Sequence, residues 1–64
     1  MPIAQISIMD GRTDEEKAKL IAAVTEAIHQ SVDAPYENIR VLLHEVPRTQ
    51  WGIAGKTAKE LGRK

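Results

Sequence analysis

Two apolar runs of strand character, residues 2 to 9 and 39 to 46, are separated by one long amphipathic stretch. That order limits what the chain can fold into. Two strands joined through a helix run parallel with a right-handed crossover, yet two strands alone do not make a stable sheet. Pairing with a second copy would give four strands with helices on one face. The other face, carrying Ile3 and its neighbours, would still need cover, so dimers are expected to associate further. A chain of 64 residues buries only about 60% of its unfolded surface. Here there is no Cys and no Phe, with one Trp and one Tyr, so a monomer core would be small and aliphatic. Disulfides and thiolate metal sites are thereby excluded, and oligomerisation is the expected remedy. The expected fold class is α/β: a β-α-β unit with a short C-terminal hairpin, residues 1–64 forming one domain, its sheet completed by dimerisation.

Local signals fill in the elements. Residues 2 to 9 alternate, Ala4, Ile6 and Ile8 on one face and Ile3, Gln5, Ser7 and Met9 on the other, as a strand requires. Asp10-Gly11 ends the strand. Thr13 and Glu16 have the spacing of a capping box, and Asp14, Glu15 and Glu16 suit the positive end of a helix dipole. Leu20, Ile21, Val24, Ile28 and Val32 then form a helical stripe of about five turns. Pro35 stops the helix. The run from Ile39 to Val46 has few polar interruptions and predicts a strand buried on both faces. Trp51-Gly52-Ile53-Ala54-Gly55 reads as a tight turn or hairpin. The tail from Lys56 to Lys64 is polar and weakly specified.

Nine basic residues balance nine acidic ones. Such a chain has no global field for nucleic acid or an anionic membrane surface. No apolar stretch nears the roughly 20 residues of a membrane span, and no charged leader precedes an apolar core. A cytoplasmic protein is expected.

One residue offers distinctive chemistry. Pro2 follows the initiator methionine, and its removal would leave a secondary amine at the head of the first strand. A free α-amino group has a pKa of about 8, so a modest downward shift makes it a neutral base near pH 7. Retained Met1 would turn that amine into a non-basic amide. Taken alone, Pro2 is also an ordinary strand-opening residue.

The chain resembles the 4-oxalocrotonate tautomerase subgroup of the tautomerase superfamily. The resemblance is carried by Pro2-Ile3-Ala4-Gln5-Ile6, Gly11-Arg12-Thr13-Asp14-Glu15 with Lys17, Asp33-Ala34-Pro35, Ile39-Arg40-Val41 and Gly52-Ile53-Ala54-Gly55. It implies a homohexamer built as a trimer of dimers. It also implies proton transfer without metal or cofactor on small unsaturated 2-keto acids and their dienols, such as 2-hydroxymuconate. By the same resemblance Pro2 is the base, Arg40 holds the 2-oxygen and adjacent carboxylate, and Arg12, reaching in from another subunit, holds the distal carboxylate. Trp51 stands where Phe is usual and Met9 where Leu is common, both lining the pocket with Ile53.

These residue types suit the chemistry. Moving a proton α to a conjugated carbonyl builds negative charge on oxygen, which a preorganised guanidinium stabilises. A dianion needs a cation at each end, and Arg grips carboxylates bidentately. The same cations, beside a dry aromatic wall, disfavour protonated Pro2 and lower its pKa. Individually, Arg12 reads as a solvated helix-start residue, Arg40 as a strand-edge ion-pair partner and Trp51 as a packing anchor.

Rival readings rest on weaker features. Gly55-Lys56-Thr57 echoes the end of a phosphate loop, but Gln50 stands where that motif needs glycine. His29, placed on the solvent side of the helix, and His44, near a strand end, have no metal-ligand spacing. A dehalogenase of the superfamily needs a water-activating carboxylate near Trp51, where Ile53 stands, which leaves hydratase chemistry at most a side activity. Another small 2-keto acid substrate, including a monoacid, and a non-catalytic oligomeric scaffold are the remaining alternatives.

Overall fold

Thr13 starts the helix as its spacing requires. Its hydroxyl accepts the Glu16 backbone N–H at 3.1 Å, and Glu16 Oε1 accepts the Thr13 N–H at 2.9 Å. The computed structural model describes residues 1–63. In chain order it contains β1 (Ile3–Met9), α1 (Asp14–Val32), β2 (Arg40–Val46), β3 (Gly52–Ile53) and β4 (Lys56–Thr57), with 3-10 turns at Tyr36–Asn38 and Arg48–Gln50. No helix among the described residues is long and apolar enough to cross a membrane.

β1 and β2 pair in parallel along their full length, from Ile3 opposite Arg40 to Met9 opposite Val46. α1 ends where Asp33 turns into the left-handed region at φ 58° and donates its N–H to the His29 carbonyl at 3.0 Å. Lys17 Nζ then ties the helix to the sheet, 3.0 Å from Glu45 Oε1 and 3.5 Å from Asp14 Oδ1. The hairpin turns through Ala54 and Gly55, both at positive φ, the geometry a two-residue connection needs to match strand twist. Gly55 therefore belongs to a hairpin, not to a phosphate-binding strand-to-helix loop.

Ala4, Ile6, Ile8, Val41 and Leu43 are half-buried on the helix side, whereas Ile3 and Leu42 on the opposite face are 59% and 42% exposed. β2 is thus covered on one face within a single chain, not on both as its apolar run predicts. Among the described residues only Ile39 and Ala58 are buried. The radius of gyration is 14.5 Å, against about 11 Å for a self-contained domain of this length. Within one chain the parallel sheet thus keeps one bare face and encloses almost no core.

Two local features differ from the sequence reading. His29 does not face solvent: its ring stacks on Tyr36 with centroids 3.9 Å apart, and Nδ1 lies 2.8 Å from the Ala34 carbonyl. A carbonyl only accepts, so Nδ1 carries the proton. The tail is also better specified than its polarity suggests. Thr57 and Glu60 form a second reciprocal cap, and Leu61 and Arg63 donate backbone N–H groups to Thr57 and Ala58. Lys64 lies outside the described residues.

Candidate active site

The parallel register decides which site residues meet. Ile3 lies opposite Arg40, and the Arg40 N–H donates to the Pro2 carbonyl at 3.0 Å, so Pro2 and Arg40 share one end of the sheet. Pro2 is half-buried there. Met1 before it is 75% exposed, and its loss removes little packing. The Arg40 guanidinium is held by the turn just before β2: Nη1 donates to the Glu37 carbonyl at 2.6 Å and, more weakly, to the Ile39 carbonyl at 3.4 Å. Two carbonyls fixed by the 3-10 turn thus orient one edge of the cation.

The other end of the sheet holds a cavity of about 230 Å³ lined by Ser7, Ile8, Met9, Asp10, Arg12 and Trp51. Its walls follow from local structure. Met9 closes β1, the Asp10-Gly11 turn redirects the chain, and Arg12 precedes the helix cap. Gly11 takes φ +110°, which L side chains rarely adopt, and a Cβ there would lie 3.3 Å from Arg48 Nη2. Trp51 is anchored through its carbonyl, which accepts the Ala58 N–H at 2.8 Å. Arg12 Nη1 lies 4.0 Å from Glu16 Oε2. The Glu16 carboxyl sits below its ordinary pKa range, chiefly because it accepts the Thr13 backbone N–H and in smaller part because Arg12 is near.

Within one chain the candidate residues therefore fall into two groups. β1 has seven residues at about 3.3 Å each, so Pro2 and Arg40 stand roughly 20 Å along the strand from Met9, at the far end of the strand in the cavity that Arg12 and Trp51 also line. Ile53 lies in β3, two residues after Trp51, but does not line the cavity. Ser7, Ile8 and Asp10 line it without having been singled out from sequence. Strand alternation already put Ser7 on the Met9 face and would have found it. Among the described residues no three His, Cys, Asp or Glu side chains converge as a metal set.

The tautomerase enzyme family matches residues 2–60. The chain belongs to that family. It is 52% identical to the 2-hydroxymuconate tautomerases of Comamonas testosteroni and Stutzerimonas stutzeri, over 98% of this chain and 100% of each relative. Among solved structures, a 4-oxalocrotonate tautomerase isozyme from Methylibium petroleiphilum superposes with a TM-score of 0.94 at 52% identity, covering 97% of this chain and 100% of that one. A heterohexameric 4-oxalocrotonate tautomerase from Chloroflexus aurantiacus superposes with a TM-score of 0.91 at 34% identity, covering 95% and 98%. The chain is an enzyme of the tautomerase type, and hexamers occur among its structural neighbours.

Proposed function

We propose that the protein ketonises 2-hydroxymuconate-type dienols to unsaturated 2-keto acids, in a homohexamer where each active site draws on more than one subunit. The observation that carries this reading is the placement of Pro2 and Arg40 at one end of β1 with Arg12, Trp51 and the cavity at the other. A second copy that sets its cavity against the first copy's Pro2 completes a site with a base, two cations and an apolar wall. The bare face carrying Ile3 and Leu42 gives such an assembly a surface to cover.

The reaction balances within the substrate. The dienol hydroxyl loses a proton and becomes a carbonyl, its electron pair moves through the conjugated carbons, and the distal carbon gains a proton. No electrons enter or leave. The unblocked Pro2 amine takes the first proton and returns one to carbon. Arg40 stabilises the charge on the 2-oxygen as it forms, while Arg12 of another subunit holds the distal carboxylate. Trp51 and Met9 limit water around the amine, which keeps it neutral and its proton transfers directed.

The test compares protein beginning at Pro2 with protein retaining Met1, on 2-hydroxymuconate followed by absorbance. Loss of nearly all activity in the Met1 form, with assembly unchanged, is the expected result. Equal activity in both forms rules out Pro2 as the proton carrier.

A further inference from the structure

Glu16 has two oxygens with different duties. Oε1 accepts the Thr13 N–H and closes the helix cap, while Oε2 faces the Arg12 guanidinium at 4.0 Å. Resting on the reading that Arg12 binds the distal carboxylate, we infer that Glu16 is a specificity-determining residue: a built-in anion that competes with the substrate for Arg12 and so weakens diacid binding. The competing charge is present near neutral pH, which lies above the ordinary glutamate range, and the cap hydrogen bond to Thr13 lowers the carboxyl's pKa further.

The competition is loose by construction. Both side chains are more than half exposed and their contact is at the outer limit of an ion pair, so solvent screens it. It therefore restrains Arg12 without neutralising it, and an incoming carboxylate able to take two guanidinium N–H groups displaces it. A monoacid makes no such demand on Arg12. Glu16 consequently narrows the preference for diacids that Arg12 creates. The second cap of the chain supplies the comparison: Glu60 Oε1 accepts both the Thr57 N–H and the Thr57 hydroxyl at 3.0 Å, and among the described residues no arginine pairs with it. The same cap chemistry occurs there without the competition.

The experiment uses the processed enzyme and steady-state kinetics on 2-hydroxymuconate and on a monocarboxylate dienol. Glu16→Gln keeps an oxygen for the Thr13 N–H and removes only the charge. Its KM for the diacid should fall about two- to fivefold, the range of an exposed ion pair, with kcat and the monoacid KM unchanged. Glu60→Gln should alter none of these. In an Arg12→Ala background, Glu16→Gln should have no effect on KM. A diacid KM that is unchanged or raised in Glu16→Gln overturns the inference, as does an equal fall in Glu60→Gln. Glu16→Ala, which loses cap and charge together, repeats the kinetic test if the Gln variant assembles poorly. Failure of the Arg12 reading shows separately, as a diacid KM insensitive to Arg12→Ala alone.

Discussion

Replacing Gly11 by Ala joins the local backbone to function at one position. At φ +110° a residue with a Cβ bears strain of about 1–3 kcal/mol. Ala also restricts the unfolded chain, which offsets about 0.4–1 kcal/mol of that. The new Cβ would meet Arg48 Nη2 at 3.3 Å, but the tip of a long side chain moves aside by a few tenths of an ångström at small cost. The net loss should be about 1–2 kcal/mol per chain, nearly all of it from backbone strain. Because Gly11 stands between Asp10 and Arg12, both lining the cavity, any relief of strain by loop movement displaces Arg12. The diacid KM should then rise more than kcat falls. The assay is urea unfolding at fixed protein concentration, since assembly and folding are linked, alongside kinetics. The Arg48→Ala background separates the causes: the Gly11→Ala loss should persist there. A neutral Gly11→Ala, or a loss that disappears without the Arg48 side chain, refutes the strain argument.

The two arginines should fail differently. Arg40→Ala should lower kcat by about 10²–10³-fold, as loss of a donor to a developing oxyanion does, whereas Arg12→Ala should raise the diacid KM roughly ten- to hundredfold with little effect on a monoacid. For pH, Glu16 and Glu60 have lowered pKa values from their Thr13 and Thr57 hydrogen bonds, so their stabilising contribution is present above the ordinary glutamate range and is lost as pH falls through their folded values. Lys17 is raised, first by its hydrogen bond to Glu45, so its contribution holds below the ordinary lysine range and is lost as pH rises past the folded value. Urea midpoints should decline at both extremes, and Glu45→Gln should flatten the alkaline decline by removing the partner that raises Lys17. Leu42→Asp, placing a charge on the bare sheet face, should reduce the assembly to smaller species in sedimentation; an unchanged oligomer would mean that this face is not an interface.

Much of the architecture was legible because each signal is local. Alternation in residues 3 to 9, the Thr13–Glu16 cap and the Ala54-Gly55 turn specify their elements without reference to anything distant. The same Thr-x-x-Glu spacing at Thr57 and Glu60 is a weaker signal in sequence, because no apolar stripe follows it to suggest a helical turn. His29 was misplaced for the converse reason: its Tyr36 partner lies beyond the helix end, where helical periodicity no longer applies. At the site, chain order alone puts Pro2 and Arg12 at opposite ends of β1, in keeping with the expectation that Arg12 comes from another subunit. That Arg40 joins the Pro2 end depends on the register of β1 and β2, a long-range fact that strand periodicity does not encode.

Sharing of the active site between subunits is most directly tested by mixed assembly. Protein with Met1 retained and processed Arg12→Ala protein, each turning over little diacid at substrate concentrations well below the wild-type KM, are unfolded together in equal amounts, refolded and assayed at those concentrations. With Pro2 and Arg12 drawn from different subunits, about one site in four receives both intact groups, and activity should return to about that fraction of the processed wild type. If no activity returns from mixtures shown to contain both chains, Pro2 and Arg12 act from the same chain, contrary to the separation along β1.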